Sequence, residues 1–96
     1  MKHKDIMKKL GVLRKFHTSN QYRDKITFYR GQDNNNGTLT ITRCNGLDDI
    51  YDLRTIELLS LSTKDGVVVH YDTKDNRSVH PYRFNDILDV EVNIRG

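Results

Sequence analysis

The residues able to do chemistry near neutral pH are few: His3, His17, His70 and His80, and one thiol, Cys44. His70 and His80 fall in two β-prone runs joined by a short turn, with Asp72 and Asp75 close by in sequence. Imidazole nitrogens and carboxylate oxygens brought together by such a hairpin can hold a divalent cation. The spacing matches no metal signature, however, and paired histidines on adjacent strands arise readily by chance. No metal and no cofactor is therefore expected. Cys44 stands beside Asn45-Gly46 with Arg43 as its neighbouring cation. A buried structural thiol is the commoner state for such a residue, and a nucleophile would need more help than one arginine. No catalytic motif is present, so the chain reads as a non-enzyme.

Charge is the more informative signal. The net charge is only +3, but residues 1–31 carry nine Lys and Arg against two Asp, whereas the remainder is slightly acidic. A basic N-terminal segment of this kind can present a positive face to phosphates. The expected contacts are Lys4, Lys8, Lys15, Arg23, Lys25 and Arg30, with Tyr29 offering a ring for stacking on a base. The alternative is solvated decoration that keeps a small domain soluble. A second candidate surface is the run His80-Pro81-Tyr82-Arg83-Phe84. Proline marks a strand edge, and an edge flanked by His80, Tyr82 and Arg83 can dock a protein partner; a bulge that merely turns the chain is the plainer reading.

Those residues must be positioned by short elements. Ile6, Leu10 and Leu13 recur at helical spacing beside Met7 and Phe16, predicting an amphipathic basic helix over residues 1–16, which Gly11 can end or bend. His17 to Gln21 read as a polar loop. From Lys25 the period becomes two, and residues 25–96 read as an antiparallel sheet. Lys25–Arg30 and Thr38–Thr42 are expected to form a hairpin through the Asn-rich link GQDNNNG. Asn45-Gly46 signals a further turn, and residues 47–54 fit a helical turn or a strand equally. Strands follow at Ile56–Leu61, Val67–Tyr71 and Ser78–His80, with turns between them and a tight turn at Asn85-Asp86. Finally Leu88, Val90, Val92 and Ile94 alternate with polar residues, predicting a strand with one dry face.

Ninety-six residues make one domain, 1–96, without room for βαβ crossovers. Eleven Asp against two Glu, and no Ala, disfavour a helical bundle. One cysteine excludes a disulfide framework or thiolate cluster. No apolar run is long enough to span a membrane and the N-terminus is not a secretory signal, so a cytoplasmic location is expected. The fold class is α+β: an N-terminal helix, then about five antiparallel strands curling into a small, partly open barrel of the SH3/Sm type. An open antiparallel sheet with the helix on one face is the alternative. Exposed strand edges would also permit a homo-oligomer.

From Ile26-Thr27-Phe28-Tyr29 to Ile87-Leu88-Asp89-Val90-Glu91 the order of elements is similar to that of the YolD-like family of small bacterial proteins. The shared features are an aromatic first strand, a Gly-started hairpin, a polar turn and the closing DILDVEV. The resemblance covers about two-thirds of the chain. It implies a non-enzymatic accessory to DNA-damage-tolerance polymerases. Arg77 to Tyr82 also resembles a strand end of WYL-type ligand-sensing domains, and the Asn- and Asp-rich composition resembles products of phages and mobile elements. The expected function is a small regulatory or accessory protein that binds nucleic acid through its basic helix and first hairpin. The alternative is a protein-interaction module, an accessory or inhibitor, acting through the Pro81 edge.

Overall fold

A computed structural model describes residues 1–13, 16–19, 26–29, 36–62, 64–73 and 76–95. It contains one helix, α1 (His3–Leu10), and eight strands: β1 (Phe16–Ser19), β2 (Ile26–Tyr29), β3 (Gly37–Arg43), β4 (Asp48–Asp52), β5 (Ile56–Leu61), β6 (Gly66–Thr73), β7 (Asn76–Arg83) and β8 (Ile87–Ile94). All pairings are antiparallel and fall into two sheets, β1-β2-β5-β6-β7 and β4-β3-β8. The domain is thus α+β, with more strands among the described residues than the five expected.

Alternation builds the core. On β3, Leu39 and Ile41 are fully buried while Thr38 and Thr40 face outward; on β6, Val67 and Val69 turn inward. Leu59 and Leu61 of β5 and Val90 of β8 join the interior. Each such side chain contributes about 1.5–3 kcal/mol by leaving water. The helix adds Ile6 and Leu10, and Leu13 just beyond it, to the same cluster, and it packs on β8. Helical spacing therefore identified the inward stripe correctly, but the helix stops at Leu10 rather than at residue 16. Gly11 caps it, as a poor helix former does, and Phe16 instead begins β1. The expected loop from His17 accordingly starts as strand, pairing with β2 from Phe16↔Tyr29 to Ser19↔Ile26.

The expected hairpin between residues 25–30 and 38–42 does not form. β2 pairs with β1 and β5, whereas β3 pairs with β4 and β8. A two-residue turn dictates its own pairing, but a long polar link leaves the neighbours to be chosen by burial. Between β3 and β4 the turn at Asn45-Gly46 is as expected: Arg43 N donates to the Leu47 carbonyl at 2.8 Å and Gly46 N to that of Arg43 at 2.9 Å. The β5–β6 and β6–β7 hairpins also form where the turn residues place them.

Two 3-10 turns act as corners. Leu53–Thr55 leads β4 into β5, and Phe84–Asp86 leads β7 into β8, each passing the chain from one sheet to the other. The ambiguous segment 47–54 is thus a strand and then a helical turn, and the tight turn expected at Asn85-Asp86 is part of the second corner. The corner leaves a register shift where Arg43 pairs with Ile87 but Thr42 pairs with Asp89. Leu88 is the extra residue, so it points to solvent at 62% exposure while Ile87 and Val90 are buried. The single dry face expected for this strand is corrected accordingly.

Candidate functional site

One outermost strand of each sheet, β4 and β7, shares an unusual polarity. On β4 it is Ile50 that faces solvent, at 67% exposure, while Asp49 and Tyr51 turn inward. On β7 it is Val79 that faces out, at 55%, together with Pro81 and Arg83, while His80 and Tyr82 turn inward. The β6–β7 register sets Val67 opposite Tyr82 and Val69 opposite His80, and Tyr71 two residues on shares their face. Asp49, Tyr51, Tyr71, His80 and Tyr82 therefore converge where the two sheet edges approach each other.

They form one hydrogen-bonded chain. Arg43 donates through Nε to Asp49 Oδ2 at 2.8 Å and places Nη2 2.6 Å from the same oxygen. Tyr82 donates its hydroxyl to that oxygen at 2.6 Å. The hydroxyls of Tyr51 and Tyr82 are hydrogen-bonded to each other, and the Tyr51 hydroxyl lies 3.0 Å from His80 Nδ1. On the far side of the imidazole, the Tyr71 hydroxyl is 3.4 Å from Nε2. Satisfying these bonds together sets their direction. A carboxylate only accepts, so the Tyr82 proton points at Asp49, the Tyr51 proton at Tyr82, and His80 must donate from Nδ1. In the Nδ1–H tautomer that this order selects, the lone pair is on Nε2, toward Tyr71.

Electrostatics fit this order. Burial raises the Asp49 pKa, but hydrogen bonds from Tyr82 and Arg43, with the attraction of Arg43 and His80, outweigh it and hold the carboxyl below its ordinary range. The same carboxylate raises the Arg43 pKa. Burial, then the bonds to Asp49 and Tyr51, push the Tyr82 hydroxyl far above the usual tyrosine value. Tyr51 is raised mainly by burial, against the opposing bond from Tyr82. Both hydroxyls are thus firmly held as neutral donors. The Arg43 guanidinium also sits over the Tyr82 ring, 5.7 Å from its centroid, a cation–π contact.

His80 lies on the wall between two open clefts. One, of about 550 Å³, is bounded by Arg43, Cys44 and Asn45 on one side and by His80, Pro81 and Tyr82 on the other. The other, of about 400 Å³, is lined by Tyr51, Tyr71, His80 and the acidic face of β4. Cys44 is exposed, with Sγ 3.1 Å from the Asn85 carbonyl, so it is not the buried structural thiol that was expected. His70 is paired with Val79 and lies on the opposite face of the sheet from His80, which removes the shared metal site weighed above. Among the described residues no group of His, Cys, Asp or Glu is arranged to hold a metal ion.

Of the expected phosphate contacts, Lys4 and Lys8 are exposed on α1, one turn apart. Lys15, Arg23, Lys25 and Arg30 lie outside the described residues, and Tyr29 ends β2 opposite Phe16 and Leu59. Of the expected docking residues, Arg83 is exposed and His80 half-buried, but Tyr82 is only 6% exposed and its hydroxyl is used internally. Sequence reasoning passed over Asp49, Tyr51 and Arg43. The signal was present as a polar–aromatic alternation, Asp49/Tyr51 and His80/Tyr82, on two strands. Among the described residues no helix is long and apolar enough to cross a membrane. No family model, no curated protein and no solved structure matches the chain.

Proposed function

We propose that the protein is a small non-enzymatic accessory that binds nucleic-acid phosphates through the lysines of α1. The observation carrying this reading is how the helix is anchored. Ile6 and Leu10 are buried, which leaves Lys2, Lys4, Lys8 and Lys9 all exposed, with Asp5 the one acidic residue of the helix. Cations fixed on a docked helix, with Lys4 and Lys8 one turn apart, meet phosphates at a smaller entropic cost than the same residues on a loose chain. The finer architecture we infer is the partly open SH3/Sm-like barrel. Its support is the circuit of ladders β3–β4, β5–β6, β6–β7 and β8–β3, joined through the two corners. A reducing cytoplasm, where an exposed lone thiol such as Cys44 stays free, suits this role. The YolD-like resemblance would make the partner machinery that of DNA-damage tolerance.

The test is fluorescence anisotropy with single- and double-stranded DNA and RNA across a salt series. Lys4→Glu/Lys8→Glu should weaken binding and flatten the plot of log K against log salt by roughly 1.4–1.8, since each phosphate contact contributes about 0.7–0.9. No binding at low salt, or binding without a salt slope, sinks the proposal. A second reading, a protein-interaction module, is favoured by β7 being an outermost strand that displays Val79, Pro81 and Arg83. Were it correct, Val79→Asp/Arg83→Ala would abolish capture of a host partner while leaving nucleic-acid binding unchanged.

A further inference from the structure

The cleft of about 400 Å³ beside His80 has a chemistry that the nucleic-acid reading does not use. Three of its walls are rings: Tyr51, Tyr71 and His80. They meet edge to face, with centroids 5.3 Å apart for Tyr51–Tyr71, 5.1 Å for Tyr71–His80 and 6.2 Å for Tyr51–His80. Tyr71 and His80 are half-buried and present ring surface to the cleft, while the buried Tyr51 ring backs them. The rest of the wall is Asp48, Asp49 and Asp52 with Ile50 and Thr55, and no Lys or Arg is among the described residues lining it.

Two of those carboxylates are already balanced. Asp49 is held by Arg43, and Asp52 is ion-paired with Arg54 at 3.1 Å. Asp48 accepts only the Thr42 hydroxyl, at 2.7 Å, among the described residues. Asp48, on the outward face of β4 with Ile50, therefore lines the cleft with no cationic partner among the described residues. The relay supplies a further preference. In the Nδ1–H tautomer of His80, Nε2 accepts the Tyr71 proton and the Tyr71 oxygen is left as an acceptor on a residue that lines the cleft.

We propose that this cleft binds an organic monocation, an alkylammonium group either free or carried on a lysine side chain. Ring faces attract a cation through their quadrupole, Asp48 supplies the countercharge, and Tyr71 accepts an N–H where the ammonium has one. An anion would meet the carboxylates with no cation in the lining, and a neutral alkyl group would leave Asp48 unanswered.

The experiment follows the Tyr and His ring protons by NMR during titration at constant ionic strength. The probes are tetramethylammonium chloride and the peptide acetyl-Gly-Lys-Gly-amide; the neutral counterparts are tert-butanol and the norleucine peptide. Saturable shifts confined to Tyr51, Tyr71 and His80 with the cations, and absent with the neutral probes, are expected. Response to tetramethylammonium alone assigns a free small cation, response to the peptide alone a lysine side chain, and response to both the shared ammonium chemistry. Tyr71→Leu should weaken binding about three-fold. Because that variant removes a half-buried ring, the exposed Ile50→Lys and Asp48→Asn provide independent checks. Each should weaken the cation about two- to five-fold without loss of fold. Equal shifts with the neutral probes, or an Ile50→Lys titration superimposable on the wild type, would overturn the assignment.

Discussion

Replacing Tyr82 by Phe removes one oxygen and leaves the ring, so it isolates what the polar chain contributes to closing the seam between the sheets. Tyr82 is 6% exposed, and its hydroxyl bridges Asp49 and Tyr51. A hydrogen bond to a charged group is worth about 1.5–3 kcal/mol, and a neutral one about 0.5–1.5 kcal/mol. Two considerations pull the expected loss toward the low end. Asp49 remains partly open to water and keeps Arg43, and the Tyr51 proton can turn to His80 Nδ1 once the imidazole takes its other tautomer, so neither partner is left bare. The expected destabilisation is therefore about 2 kcal/mol. For a domain of this size that lowers Tm by about 8–16 °C. Thermal melts followed by far-ultraviolet circular dichroism measure it, with urea unfolding as a second route to the same free energy. Tyr71→Phe is the internal control: it deletes only the 3.4 Å contact to His80 and should cost under about 0.5 kcal/mol. A double-mutant cycle of Tyr82→Phe with Asp49→Asn should show a coupling of about 1 kcal/mol. If Tyr82→Phe melts with Tyr71→Phe, the seam is held by apolar packing and the reasoning fails.

The other predictions concern pH and backbone. The Asp49 carboxyl sits below its unfolded pKa, so its contribution is present above the ordinary value of 3.8 and is lost as pH falls through its folded value. Stability measured by urea titration should drop on acidification below about pH 4, and less steeply in Asp49→Asn. Tyr51 and Tyr82 sit above the ordinary value of 10.0, so the unfolded chain loses those protons first. Their contribution is complete below that pH and is lost as pH rises toward their folded values. Absorbance at about 295 nm should accordingly show two tyrosines that ionise only as the native fold gives way. Gly66 holds φ +157°, and a Cβ there would run into the Tyr82 carbonyl oxygen. Gly66→Ala should thus cost more than about 1 kcal/mol in the same melts and shift the Tyr82 resonances; a neutral effect would refute the close approach.

What could be read in advance followed from local rules. The stripe of Ile6, Leu10 and Leu13 fixed the inner face of the helix, and β-branched runs between turn residues located β6 and its hairpins. Pro81 indeed stands on an outermost strand, where a missing N–H is harmless. Pairing across long links was not legible, because β2 and β3 chose neighbours by total burial rather than by the turn between them. The outward Leu88 depends on a one-residue register shift, which alternation alone does not reveal. The seam was hidden for a stronger reason. On β4 and β7 polar rings and a carboxylate face inward while Ile50 and Val79 face out, the reverse of the rule by which sheets are usually read. Only the meeting of two strands, each unfavourable alone, makes that reversal stable.

The two corners also set the order in which the molecule can assemble. β6 and β7 meet across a two-residue link, whereas the β3–β8 ladder joins Gly37 to Ile94, more than half the chain apart. Loop closure makes such distant pairing slow, so the hairpins should form early and the β3–β8 ladder last. Contacts made after the folding barrier govern how fast a protein opens, not how fast it folds. Stopped-flow kinetics would then show Val90→Ala accelerating unfolding at an unchanged folding rate, and Val69→Ala slowing folding. The lifetime of the closed molecule would thus reside in β8, the strand that α1 clasps.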